Sequence, residues 1–126
     1  MNELEFLKLY ESTTNTHNFE NVKPLIDPNA TYFFSDSTLV GIDEIENAFK
    51  KTWNNIQNEI YVIKHVKWLV ADLDVAVCSY EFEWSGIIDG AKSNGGGRGT
   101  NVMCRIDSSW KMIHEHLSNH PTIRSS

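Results

Sequence analysis

The chain has 126 residues, 40% of them hydrophobic and 22% charged, which supplies the core of one domain and excludes a disordered chain. Its 17 acidic and 11 basic residues leave a net charge of −6, and the longest basic run is Lys50-Lys51. The basic face that nucleic-acid binding requires is therefore missing, and no apolar run approaches the roughly 20 residues of a membrane span.

The segment Met1 to Glu11 carries acid where an export signal needs base. Cys78 and Cys104 both sit in apolar or alternating stretches, so they read as reduced thiols of a cytoplasmic protein. No repeat or linker divides the sequence, and residues 1–126 read as a single domain.

The first half is helical in pattern. Leu4, Phe6, Leu7, Leu9 and Tyr10 form an apolar stripe over residues 3–14. A shorter helical segment from Phe19 to Ile26 follows, with Asn18 as its cap, and Asp27-Pro28-Asn29 turns the chain. Ala30 to Phe34 reads as a short strand. After Gly41, residues Ile42, Ile45, Phe49, Trp53 and Ile56 recur at three- and four-residue steps, the clearest helix in the chain.

Beyond Glu59 the period falls to two. Four β-rich runs follow: Ile60–Val70, Val75–Ile88, Arg98–Asp107 and Trp110–Ser118. Asp72-Leu73-Asp74 and Asp107-Ser108-Ser109 read as tight hairpins, and the glycine-rich stretch from Asp89 to Gly97 as a longer mobile link. Helices first and an antiparallel meander afterwards define an α+β domain.

Strand alternation places Tyr80, Phe82 and Trp84 on one face with Ala76 and Cys78, opposite Val75, Val77, Ser79, Glu81 and Glu83. The same rule puts Trp110, Met112, His114 and His116 on one face of the last strand and Ile113, Glu115 and Leu117 on the other. Two partly apolar faces imply that both are covered, one by the helices and one by a second subunit. The expectation is a homodimer through the outer sheet face.

Glu115, beside whichever of Glu81 and Glu83 is in register, is the leading candidate for chemistry. A carboxyl drawn into an apolar cavity has a raised pKa, which suits a general acid or base near neutrality. The alternative is an exposed Glu115 paired with Arg98 or Arg105. His114 and His116 have a metal-ligand spacing, but a third ligand such as His65 or His120 is required, and no metal or other cofactor is assigned. Tyr32 and Trp53 carry polar handles suited to a small-molecule pocket.

Gly97-Arg98-Gly99-Thr100-Asn101-Val102 and Trp110-Lys111-Met112-Ile113-His114-Glu115-His116-Leu117-Ser118, with Leu39-Val40-Gly41-Ile42-Asp43-Glu44-Ile45 before them, resemble the SnoaL-like branch of the nuclear transport factor 2-like superfamily. The resemblance implies a cystatin-like cone, with three N-terminal helices packed on the concave face of a curved, mostly antiparallel sheet and a cavity between them. It also implies a small-molecule ligand and dimerisation through the outer sheet face. Its members include cyclases, isomerases, dehydratases and kinase association domains.

The resemblance points to Glu115 as a pocket acid, to Trp53 as a pocket aromatic from the third helix, and to Asn101, Glu81 or Glu83 where association domains carry cavity charges. The resulting expectation is Glu115 or Glu83 as the base of an isomerase, cyclase or dehydratase. Tyr32, Trp53, Glu81, Asn101, His114 and His116 would contact the ligand. A non-catalytic ligand-binding or dimerisation module is the competing expectation.

Overall fold

The first helix begins where a side chain can cap it. The computed structural model describes residues 1–121. Helix α1 (Glu3–Thr14) is preceded by Asn2, whose side chain accepts from the Glu5 backbone at 2.9 Å. The Glu5 carboxylate accepts from the Asn2 backbone at 3.2 Å in return. Such a reciprocal cap stabilises a helix by about 1 kcal/mol. Phe6, Leu7 and Tyr10 form its buried stripe.

Asn18 caps α2 (Phe19–Val22), which passes through a 3-10 turn, Lys23–Leu25, into strand β1 (Ile26–Phe34). The helical run expected to reach Ile26 stops at Val22 because Pro24 has no N–H with which to extend it. The turn expected at Asp27-Pro28-Asn29 is instead an irregularity inside β1. The Asp27 carboxylate accepts from Asn29 N at 2.8 Å, and the pairing with the last strand slips between Ile26 and Thr31.

Strand β2 (Ser37–Val40) pairs antiparallel with β1 and was not legible as a strand in the sequence, being only four residues long. Gly41, at φ +86°, then leads into α3 (Ile42–Asn55) while its N–H donates to Ala30 O at 2.8 Å. That left-handed backbone suits glycine.

Strands β3 (Gln57–Ala71), β4 (Val75–Ile88), β5 (Ala91–Ile106) and β6 (Ser109–Asn119) complete a six-stranded mixed sheet in the order β2-β1-β6-β5-β4-β3. Only the β1–β6 pair is parallel. The sheet curves around the helices, and the core lies between them, with Phe6, Tyr10, Tyr32, Ile45, Met103 and Met112 fully buried.

Two expectations are corrected in β5 and β6. The stretch from Asp89 to Gly97 is not a mobile link. The turn is only Asp89-Gly90, both at positive φ, and β5 starts at Ala91. Gly95, Gly97 and Gly99 then occupy successive inward positions opposite Trp84, Phe82 and Tyr80. A Cβ on Gly95 would stand 2.7 Å from the Trp84 indole, and one on Gly99 would strike the Tyr80 ring. These glycines leave room for rings from the neighbouring strand, a side-chain-free lane under an aromatic row.

The second correction concerns β6. Val102 pairs with His114 but Met103 pairs with Met112, so Ile113 is an extra residue. This bulge reverses the alternation. Trp110 and Met112 face the core together with Glu115, whereas His114 and His116 turn to the outer face, contrary to strict alternation.

Candidate functional site

A cavity of about 200 Å³ lies between α1, α3 and the concave side of the sheet. Phe49 and Trp53 of α3, Tyr61 of β3, and Phe82 and Trp84 of β4 form its aromatic walls, and Glu115 and Leu117 of β6 reach it from the inner edge. Trp53 is present because the three- and four-residue spacing of α3 turns it to the same side as Phe49. The two rings meet edge to face with centroids 5.6 Å apart.

Glu115 is buried and joined to a polar chain that crosses the core. Its Oε1 accepts from the Tyr10 hydroxyl at 3.2 Å and from Asn101 Nδ2 at 3.3 Å. Asn101 in turn accepts from the Tyr80 hydroxyl at 2.8 Å, and the hydroxyls of Tyr10 and Tyr32 are 2.9 Å apart. The chain contains four tyrosines, and all of them (Tyr10, Tyr32, Tyr61 and Tyr80) feel the charge of Glu115. Burial first, and that negative charge second or lower, hold their hydroxyls well above the usual phenol range, so they stay protonated donors.

Burial pushes the Glu115 carboxyl up to about 7, against the opposing effect of the hydrogen bonds from Asn101 and the tyrosines. A group with that pKa exists in both protonation states near neutrality. It can therefore accept a proton and return it without a change of pH.

Glu59, at the start of β3, is the second carboxyl of the cavity and is only 8% exposed. Burial raises its pKa, partly offset by His17. The His17 ring stacks on Trp53 with centroids 5.6 Å apart and donates from Nε2 to the Glu59 backbone carbonyl at 2.8 Å. Thr14 Oγ1 is buried without a hydrogen-bond partner among the described residues and also lines the cavity.

The structure separates the residues singled out in the sequence. Glu115 and Trp53 line the cavity. Tyr32 and Asn101 lie behind it, hydrogen-bonded to Tyr10 and Glu115 of its lining. Glu83 and Glu81 do not flank Glu115, contrary to the expectation that one of them lies beside it. They lie on the outer face, because Glu115 is in register with Asn101, and Asn101 with Cys78. There Glu83 is bound by Lys64 with its side chain 56% exposed, and Glu81 by His65, which holds its carboxyl below the usual range. Glu115 pairs with neither Arg98 nor Arg105. The Arg105 guanidinium is spent on the Leu73 and Met1 carbonyls and on the Trp110 ring.

His114 and His116 also lie outside the cavity, flanking the Phe33 ring at 4.8 and 5.7 Å. His114 Nδ1 donates to the Thr31 carbonyl at 2.7 Å. Among the described residues, no three His, Cys, Asp or Glu side chains gather in a way that could hold a metal.

Sequence reasoning missed Tyr10, Tyr61, Glu59 and Thr14. For Tyr61 and Glu59 a signal existed, since both fall on the Ile63 face of the β3 pattern. Tyr10 was assigned to the core stripe of α1, from which nothing local distinguishes its hydroxyl.

A family model described as a SnoaL-like domain matches residues 4–123, and the chain belongs to that family. None of the curated proteins matches it by sequence. Among solved structures, a nuclear transport factor 2-like superfamily protein from Salmonella enterica serovar Typhimurium superposes with TM-score 0.84 at 17% identity, over 94% of this chain and 88% of that one. A Xanthomonas campestris protein named for the calcium/calmodulin-dependent protein kinase II association domain gives TM-score 0.82 at 23% identity, over 93% and 84%. A Nostoc punctiforme protein with a cystatin-like fold gives 0.78 at 11%, over 95% and 90%. The architecture is thus the cystatin-like cone of the nuclear transport factor 2-like proteins. No described helix is long and apolar enough to cross a membrane.

Proposed function

We propose that the chain is a cytoplasmic small-molecule-binding domain whose cavity performs carboxylate acid–base chemistry. The reaction class is proton transfer beside a carbonyl, leading to isomerisation, cyclisation or dehydration. Glu115 would take the proton as base and return it as acid, while the Tyr61 hydroxyl donates to the developing oxyanion. The observation that carries this reading is a buried carboxyl whose pKa stands at about 7 on the wall of an apolar cavity. Perturbed groups in clefts are the usual mark of such sites.

The test is hydrogen–deuterium exchange at the α-carbon of a panel of small cyclic ketones in deuterated buffer, followed by NMR. Protein-dependent exchange that disappears in Glu115→Gln supports the reading. Exchange equal in both proteins removes Glu115 from the role, and no exchange above buffer for any ketone removes the catalytic reading.

A non-catalytic assembly module is the second reading, and the outer face favours it. Phe33 of β1 is 40% exposed there between the two histidines, and Val62 of β3 and Val75 of β4 are exposed towards the opposite edge of the sheet. The likeness to a protein named for an association domain points the same way. A homodimer through this face is proposed under either reading. Light scattering at micromolar concentration is expected to give twice the 14.4 kDa of the chain, and Phe33→Glu to return it to a single copy.

A further inference from the structure

The cavity is electrically one-sided. Two carboxyls, Glu59 and Glu115, line it, and its lining contains no Lys, Arg or His. Glu115 has donors from Tyr10 and Asn101, but Glu59 has none: among the described residues no side-chain or backbone donor reaches its carboxyl. The nearest candidate, His17, spends its Nε2 proton on the backbone carbonyl of the same residue and its ring face on Trp53. The Glu59 carboxyl is thus left open to the cavity space, where a ligand can meet it.

The surroundings of Glu59 also favour positive charge. Thr14 Oγ1, also without a partner, is a further lone-pair acceptor on the cavity wall. Thr14 is the last residue of α1, so the negative end of that helix lies there too, and no basic residue occupies its last turn. Phe49, Trp53, Tyr61 and Trp84 add aromatic surface to the walls, and aromatic faces attract cations.

We infer that the cavity is built for a small apolar molecule carrying a protonated or quaternary nitrogen, with Glu59 as its counter-charge and the aromatic rings as its walls. The inference rests on the small-molecule reading above and narrows it. A substrate would place its ammonium group at Glu59 and Thr14 and its reacting carbonyl at Glu115. An anion of the same shape is rejected by both carboxyls. A neutral molecule leaves Glu59 uncompensated.

The experiment compares three probes of similar shape: benzyltrimethylammonium, its uncharged carbon isostere neopentylbenzene, and phenylacetate. Binding to the full chain is followed by tryptophan fluorescence and by the Trp53 indole N–H resonance. The cation is expected to bind at least about tenfold tighter than the uncharged isostere, with phenylacetate not binding. Glu59→Gln is expected to remove most of the cation's advantage over the isostere, the aromatic walls retaining the rest, while Glu59→Asp keeps more of it. Equal binding of cation and isostere overturns the inference and leaves the small-molecule cavity standing. Preference for phenylacetate overturns it likewise. No binding by any probe overturns the small-molecule reading itself, and the inference with it. The wild-type comparison decides the matter even if Glu59→Gln fails to fold.

Discussion

The hydroxyl of Tyr10 lies 3.2 Å from Oε1 of Glu115, joining the first helix to the last strand across 105 residues of sequence. The bond stabilises the carboxylate form, so it opposes the burial that raises the Glu115 pKa. Tyr10→Phe is therefore expected to move Glu115 further up from about 7, by about one pH unit. A carbon-13 NMR titration of the glutamate carboxyls measures it. An unchanged or lower midpoint would mean that Tyr10 bonds only to Tyr32.

Stability should depend on pH in a definite direction. The native Glu115 carboxyl keeps its proton up to about pH 7, whereas the unfolded one releases it near 4.5. Between those values the native state binds more protons than the unfolded state, so stability falls as pH rises through this window and levels off above it. The full effect is about 3 kcal/mol. Glu115→Gln should remove most of this slope, leaving the part that Glu59 contributes in the same direction, and melt higher than the wild type at pH 8. Urea unfolding of both proteins from pH 4.5 to 8 checks it, and parallel curves would refute the assignment.

The glycine lane of β5 should tolerate no methyl group. A Cβ at Gly97 would run into the backbone carbonyl of Ser118 and press on the Phe82 ring. Gly97→Ala is expected to cost about 1–3 kcal/mol. A urea midpoint unchanged from the wild type would show that the β5–β6 pairing relaxes freely there.

Glu81 and Glu83 belong to the solvent-facing side, and their removal tests that placement. The double variant Glu81→Gln, Glu83→Gln should leave both the Glu115 titration and probe binding in the cavity unchanged. Exposed ion pairs of this kind hold little. A shift of the Glu115 midpoint would place one of these acids nearer to it than the register allows.

The division between what was legible in the sequence and what was not follows from the range of the interactions. Helix α3 and strand β4 are encoded by period alone, and their spacing brings Trp53, Phe82 and Trp84 to the cavity. The position of Glu115 on the inner face was readable, but its company was not. A single bulge at Ile113 sets which of Trp110, Met112, His114 and Glu115 share a side, and no local signal marks it. The glycines of β5 resembled a loop because their reason lies on the next strand, in the rings of Tyr80, Phe82 and Trp84. Strand β2 was lost because four residues carry too little periodicity against the turn chemistry around them.

The parallel pairing of β1 with β6 sets an order on assembly. Strands β3 to β6 can close through neighbouring hairpins as soon as each is made. Helix α1 and the β1–β2 hairpin are synthesised first, yet their partner in the sheet is the last strand. A nascent chain that ends before Ser109 therefore holds an N-terminal half with an unpaired edge. Neither Tyr10 nor Tyr32 has reached the carboxyl they surround, and the cavity closes only when the final strand arrives.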